Sequence, residues 1–119
     1  MMLLTKANLK SLPAMRAQEN TPIELQTIHV KFFTPDAQWT WYATEYDPDE
    51  EMFFGLVDGH EKELGYFSLS DLKSVRGQLG LPVERDRHFE PQALGKFLPD
   101  HMKSEPASEP AADNVIAFP

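Results

Sequence analysis

Four short runs rich in β-branched and aromatic residues constrain the fold most strongly. They occupy residues 28–33, 39–46, 52–57 and 64–67. The stretches between them are turn-like and about five residues long, and they contain Pro, Gly or clustered acids. Connections of that length join antiparallel strands, because parallel neighbours need a crossover of a dozen or more residues. The pattern therefore predicts an antiparallel β-meander of three to five strands.

Helical patterns flank the strands. Thr5 is a good N-cap for a helix over 6–12, which the following proline would close. After Ser68 the apolar period changes from two to about 3.6, and this change predicts a second helix. Val83 is expected to open a short edge strand, and 91–98 a last short helix. The prediction is an α+β fold with short helices packed on one face of the sheet.

The length of 119 residues permits one domain, and the composition changes near Leu98. We predict a single domain over 1–98 and a disordered, acidic, Pro- and Ala-rich tail over 99–119, because that composition buries too little apolar surface to offset chain entropy. The apolar tip Val115–Phe118 could be a docking peptide or an unconstrained chain end.

The net charge disfavours some classes of function, and the absence of cysteine excludes others. The net charge is −8, and residues 1–98 alone hold 15 acids against 10 Lys and Arg, a net of −5. Such a chain lacks the clustered bases that grip a nucleic-acid backbone or an anionic membrane. The absence of cysteine excludes disulfides, thiol catalysis and cysteine-bound zinc. No apolar stretch suits a membrane helix or a signal peptide, so a cytoplasmic protein is expected.

Alternation along the first two strands separates a core face from a second face. The core face is predicted to carry Ile28, Val30, Phe32, Trp39, Trp41 and Ala43. The second face is predicted to be exposed, either as a polar-aromatic binding surface or as an ordinary solvent face. Its side chains are His29, Lys31, Phe33, Thr40, Tyr42, Thr44 and Tyr46.

A dense acidic run lies between the second and third strands. One interpretation is an acidic surface that competes for a basic, nucleic-acid-binding site on another protein. The other is a solvated turn that protects strand edges from aggregation. The five carboxylates of this run belong to Glu45, Asp47, Asp49, Glu50 and Glu51.

No constellation of catalytic residues stands out. The donors Asp58, His60 and Glu61 share one turn and could bind a cation weakly, although such donors in a hairpin turn more often form a solvated tip. The glycines match neither a dinucleotide nor a phosphate loop, so no cofactor and no metal are expected. The basic residues concentrate locally at Lys73, Arg76, Arg85 and Arg87. Glu84, Asp86 and Glu90 interleave with them, and this pattern predicts ion pairs rather than a phosphate site.

Several longer stretches together resemble a known family. They are Leu3–Lys6, Lys31–Asp36, Trp39–Tyr42, Phe53–Gly59, Glu63–Leu69 and Val75–Gly77. Over residues 1–98 the chain is similar to an uncharacterised bacterial family, the domain of unknown function 2958. Its members are encoded largely on plasmids, integrative elements and phages. The resemblance implies an accessory protein of mobile DNA, and it implies no catalytic residue.

These observations together favour a non-enzymatic accessory protein that binds a host or element-encoded protein, with inhibition of a host defence system as one form of that role. Nucleic acid is not expected as a direct ligand. Two alternatives stay open: a single-strand-binding or plasmid-processing factor that uses the polar-aromatic face, and a small metal-dependent enzyme built around the turn at 58–61.

Overall fold

The computed structural model describes residues 2–103. Its centre is an antiparallel five-stranded sheet in the order β5-β4-β3-β2-β6. The strands are β2 (Val30–Phe33), β3 (Thr40–Asp47), β4 (Met52–Asp58), β5 (Lys62–Ser68) and β6 (Glu84–Arg85). A separate two-stranded sheet pairs β1 (Thr27–Ile28) with β7 (Gln92–Ala93). The α-helices are α1 (Lys6–Ser11) and α2 (Leu69–Ser74).

The α+β class and the antiparallel meander are confirmed. Strands β2 to β5 follow one another in both sequence and space, because each connection is too short to do anything but reverse the chain. The edge strand predicted after Val83 is present as β6 and pairs with β2, where Phe32 lies opposite Arg85.

The helix starts follow local capping. The Thr5 side chain accepts a hydrogen bond from the Asn8 N–H (3.1 Å), and the Asn8 side chain accepts one from the Thr5 N–H (2.9 Å). The Ser68 hydroxyl caps α2 by accepting from the Asp71 N–H at 3.0 Å. The helices predicted after Thr5 and after Ser68 are therefore confirmed, and α2 ends at Ser74.

The face that α2 covers carries what we call the first core. It is built on stacked and edge-packed rings: Phe53 lies 5.2 Å from Phe67 and 5.4 Å from Phe32, measured between centroids. Both α-helices or their flanking residues contribute to it, as predicted for helices on one face. Its buried members are Leu3, Leu12, Val30, Phe32, Trp41, Ala43, Tyr46, Phe53, Val57, Phe67, Leu69, Leu72, Val75 and Val83.

The opposite face is buried as well, which the sequence did not predict. It carries the second core, closed by the β1–β7 ribbon and by 3₁₀ turns at Ile23–Leu25 and Leu94–Lys96. The buried members of the second core are Ile23, Ile28, Tyr42, Phe54, Leu56, Leu94 and Leu98. The prediction that Ile28 shares a face with Val30 is wrong, because Ile28 lies in the second core and Val30 in the first.

Two irregularities in the strands explain the error. The His29 N–H donates to the Ala43 carbonyl at 2.9 Å, while Ala43 is also the partner residue of Val30. Two residues thus oppose one, as in a β-bulge, and the side-chain alternation changes phase between Ile28 and Val30. A second register shift falls between Ala43 and Glu45 on β3.

The last predicted helix is wrong in type. Residues 91–98 form β7 followed by a single 3₁₀ turn, because Gln92 and Ala93 pair with β1 instead of coiling. A further 3₁₀ turn spans Asp100–Met102, and Met102 packs against the second core, so ordered contacts continue past the predicted boundary at residue 98. The remaining predicted tail, including Val115–Phe118, lies outside the described residues. Within residues 2–103, no helix combines the length and apolar character needed to cross a membrane.

Candidate functional site

The sheet face predicted to be exposed is largely covered. Tyr42 is 7% exposed, Tyr46 5% and Thr44 fully buried, so the expected exposure of these three side chains is wrong. The other four members are partly exposed and lie along β2 and the start of β3. They are His29, Lys31, Phe33 and Thr40.

Tyr42 is covered by the segment that follows β6. The Phe97 ring stacks on it with centroids 4.4 Å apart, and the Phe89 ring lies 6.5 Å away. Burial, and then the charge of Asp58, raise the pKa of the Tyr42 phenol. The ring is therefore a core contact, and in this structure it offers no open stacking surface.

Tyr46 is buried because the register shift on β3 turns it toward the first core. Its ring lies 4.5 Å from that of Phe53, and burial followed by the charges of Glu51 and Asp47 raises its pKa. At the same irregularity the Thr44 hydroxyl donates to the Phe54 carbonyl at 3.0 Å. With strict alternation from Ala43, the Tyr46 side chain would have faced the second core.

Glu45 does not belong to an acidic surface. It is 1% exposed, and its carboxylate accepts the N–H of Arg16 at 2.9 Å and the N–H of Gln18 at 2.7 Å. The Gln18 side chain in turn accepts the Thr27 N–H at 2.8 Å and donates to the Thr44 carbonyl at 3.0 Å. This chain of hydrogen bonds, which we call the polar anchor, fixes the connection between α1 and β1 to the sheet.

The other four acids remain at the β3–β4 connection and form what we call the acidic turn. Within residues 2–103 none of the four carboxylates forms an ion pair. The members of the acidic turn are Asp47, Asp49, Glu50 and Glu51.

The backbone of the acidic turn is held at both ends. Asp47 Oδ1 accepts the N–H of Asp49 at 3.0 Å and of Glu50 at 3.4 Å. Glu51 adopts a left-handed conformation with φ of 50°, and its carbonyl accepts the Leu69 N–H at 2.9 Å. The turn therefore presents its charges from a defined backbone shape at one end of the sheet.

The ion pair observed beside β6 involves Lys31, which was not among the residues expected to pair. Asp86 lies 3.7 Å from Lys31, while Arg85 donates to the main-chain carbonyls of Met2 (2.7 Å) and Leu3 (3.1 Å). The expected ion pair of Arg87 is not formed among the described residues. Beside this region burial lowers the pKa of His29, which favours a neutral imidazole.

The hairpin tip at Asp58, His60 and Glu61 does not form a metal centre. Among residues 2–103 no three His, Asp or Glu side chains are placed to hold an ion. Instead, His60 packs against Trp39, with ring centroids 5.4 Å apart and planes at 80°. Its partner residues thus come from a neighbouring loop rather than from its own turn.

That contact belongs to an open pocket that the sequence did not predict. The pocket has a volume of about 970 Å³ and lies between three connections: β2–β3, β4–β5 and the loop after α2. We call it the loop-end pocket. Its lining residues include Asp36, Gln38, Trp39, His60, Arg76 and Gln78.

Two glycines allow these connections to approach one another. A Cβ at Gly59 would lie 2.5 Å from the Trp39 ring, and a Cβ at Gly77 would overlap with Asp36 Oδ1. Asp36 Oδ2 accepts the N–H of Leu79 at 2.6 Å and of Leu81 at 3.2 Å, so it ties the loop after α2 to the β2–β3 connection. Gly59 and Gly77 were the features of the sequence that could have indicated this pocket. The need for glycine at these positions comes from contacts between loops that are distant in the sequence.

Residues 3–100 match the family described as Protein of unknown function (DUF2958). The chain belongs to this family. The part of this chain that matches DUF2958 includes α1, α2, the strands β1 to β7, the acidic turn and the loop-end pocket. The family resemblance drawn from the sequence is thereby confirmed. Neither a curated protein nor a solved structure matches the chain.

Proposed function

We propose that this DUF2958 protein is a non-enzymatic accessory protein of plasmids, phages or integrative elements, and that it acts by binding another protein. Its binding surface is the acidic turn. The observation that carries the proposal is the concentration of four carboxylates at one strand connection, without an ion pair within residues 2–103.

The physical argument rests on uncompensated like charges. Four neighbouring carboxylates repel one another, and a basic surface on a partner would relieve that repulsion and steer the encounter. Because hydrogen bonds to Asp47 Oδ1 and to the Glu51 carbonyl hold the turn, little backbone entropy is lost on binding. The burial of Glu45 reduces the surface to four acids but leaves them adjacent.

The partner that fits this chemistry is a host or element-encoded protein with a basic surface. A host defence protein that binds nucleic acid has such a surface, and carboxylates placed where phosphates would sit can occupy it. Inhibition of a defence system is the more specific form of the proposal. The burial of Tyr42 and Tyr46 favours this form over direct stacking on single-stranded nucleic acid.

The test is affinity purification from a host lysate followed by mass spectrometry. The test variant neutralises the acidic turn by Asp47→Asn, Asp49→Asn, Glu50→Gln and Glu51→Gln. The matched control changes the net charge equally, at acids outside the turn. It carries Glu61→Gln, Glu63→Gln, Glu84→Gln and Glu90→Gln.

The expected result is a basic protein that the wild type and the control capture and the test variant loses, with both variants unfolding at wild-type temperature. Capture should weaken as salt is added, since the contact is electrostatic. The proposal fails if the test variant retains the partner, or if the wild type captures no basic protein.

A further inference from the structure

Arg76 presents a fixed and partly open guanidinium at the loop-end pocket. Its Nη1 donates to the carbonyls of Lys73 and Val75, both at 2.8 Å. Within residues 2–103 neither Nε nor Nη2 has a partner. These two nitrogens form the edge that binds a carboxylate or phosphate through two parallel hydrogen bonds. Because Nη1 already holds the group in place, little side-chain entropy is lost when the other edge binds an anion.

Within residues 2–103, Asp36 is the one carboxylate that lines the pocket, and its oxygens do not bind the Arg76 guanidinium. Asp36 Oδ2 is occupied by the Leu79 and Leu81 N–H groups, and Oδ1 is buried against Gly77. Both carboxylate oxygens of Asp36 are thus held within the loop that Asp36 anchors. Arg76 supplies the charge that faces solvent in the pocket.

Aromatic side chains line the same pocket. The exposed His60 ring stands edge to face against Trp39, which itself stacks on Trp41 with centroids 5.9 Å apart. The stacking and the close approach of Gly59 fix the indole, and the indole positions the imidazole. A flat ring can pack on such an arrangement at low entropic cost.

The pocket is too large for an inorganic ion alone, and its volume lies in the range of pockets that hold small organic ligands. We propose that the loop-end pocket binds a small organic anion in which a carboxylate or phosphate is attached to a planar ring. Arg76 binds the anionic group, and His60 with Trp39 contacts the ring. This site is separate from the acidic turn, so it does not depend on the protein-binding proposal.

Nuclear magnetic resonance offers a direct test, because the chain has two tryptophans and hence two indole N–H signals. Trp39 lies at the pocket and Trp41 is fully buried, so the second signal is an internal reference. The full chain is titrated to millimolar concentration with AMP and with benzoate. Adenosine tests the ring alone, and inorganic phosphate tests the anion alone.

We expect AMP or benzoate to shift the Trp39 signal more than the Trp41 signal, with adenosine and phosphate binding more weakly than AMP. Which of the two ring anions binds more tightly distinguishes a phosphate from a carboxylate ligand. Arg76→Gln should weaken binding about tenfold or more, the loss of a charge-assisted hydrogen-bond pair. Arg87→Gln is the matched control, since it removes an exposed arginine outside the loop-end pocket. His60→Ala should weaken AMP more than phosphate.

Three results would overturn the proposal. The first is no shift of the Trp39 signal with either ring anion. The second is equal weakening by Arg76→Gln and Arg87→Gln, which would indicate a general charge effect. The third is phosphate or adenosine binding as tightly as AMP, which would remove the need for a ligand that joins both groups.

Discussion

The two faces of the central sheet are both buried, yet they are covered in different ways. The first core is closed by α2 and by residues flanking α1, and its centre is a group of packed aromatic rings. The second core is closed by irregular segments and short 3₁₀ turns, and the polar anchor holds one of these segments, the connection between α1 and β1, to the sheet. The first face depends mainly on apolar area, whereas the second depends also on a few specific hydrogen bonds.

The polar anchor gives the second face a particular vulnerability. Gln26, whose side chain donates to the Gln18 carbonyl at 2.9 Å, and Glu45 are each 1% exposed, so their polar atoms have lost contact with water. Buried groups of this kind stabilise a fold only while their partners are in place, and an orphaned partner costs free energy. The stability of the segments that close the second core should therefore depend strongly on changes in hydrogen bonding. The stability of those that close the first core should depend on them less.

The largest expected effect lies in the first core. Phe53→Ala removes a fully buried ring that contacts Phe32, Tyr46 and Phe67. The free energy of unfolding should fall by about 3–5 kcal/mol, as lost burial and a cavity combine. Urea denaturation measures it, with Leu79→Ala at an 81% exposed position as the control that should change little. A loss below about 1 kcal/mol would contradict the role given to the rings.

A smaller loss is expected from Glu45→Gln, which keeps the size of the side chain but removes its charge. One carboxylate oxygen is replaced by an amide that cannot accept from Arg16 or Gln18, so stability should fall by about 1–3 kcal/mol. Hydrogen exchange should show those two backbone amides losing protection first. Glu50→Gln, in the acidic turn, is the control. If the Arg16 and Gln18 amides of Glu45→Gln exchange as in the wild type, the polar anchor does not hold the connection between α1 and β1.

The next effect concerns Phe97→Ala, which removes the ring stacked on Tyr42. The aromatic pair alone should account for about 0.5–1.5 kcal/mol. Because burial is the main cause of the raised pKa of Tyr42, uncovering the phenol should bring that pKa back toward its ordinary value of 10.0. An absorbance titration at alkaline pH measures the change. If the titration is the same as in the wild type, Phe97 is not what covers Tyr42.

The smallest effect is a pH dependence of stability caused by His29. This residue lies at the bulge between Ile28, in the second core, and Val30, in the first core. Burial lowers its pKa in the folded protein below 6.5, so the unfolded chain takes up the proton first. Stability should therefore fall as the pH drops through and below 6.5, and His29→Gln should remove part of that fall. Urea midpoints between about pH 7.5 and 5.5 test this. His88→Gln is the control; an equal change there would assign the effect elsewhere.

The contrast between the two faces also shows how far the sequence predicts the structure. Regular patterns, such as the Thr5 cap and the alternation of Trp41 and Ala43, predict the meander and four of the fourteen buried residues of the first core. Strict alternation failed at His29 and at Thr44, because a bulge changes the phase without leaving a clear mark in the sequence.

The candidate sites were predictable to different degrees. The four acids of the acidic turn are neighbours in the sequence, so their proximity follows directly from it, whereas the burial of Glu45, the fifth acid of the run, does not. The loop-end pocket brings together Asp36, His60 and Arg76 from three connections. No local period relates such residues, and only tertiary packing shows why Gly59 and Gly77 have no side chain.

The order in which the strands pair has a consequence for how the chain folds as it is made. Strands β2 to β5 pair with sequence neighbours, whereas β6 and β7 must close loops of about 50 and 65 residues. Short loops cost less entropy to close, so we expect the hairpins to form first. Until residues 92–98 have been made, we expect Tyr42, Phe54 and Leu56 to stay uncovered on one side of a nearly complete sheet. The newly made chain should then expose a transient apolar surface to which a chaperone can bind.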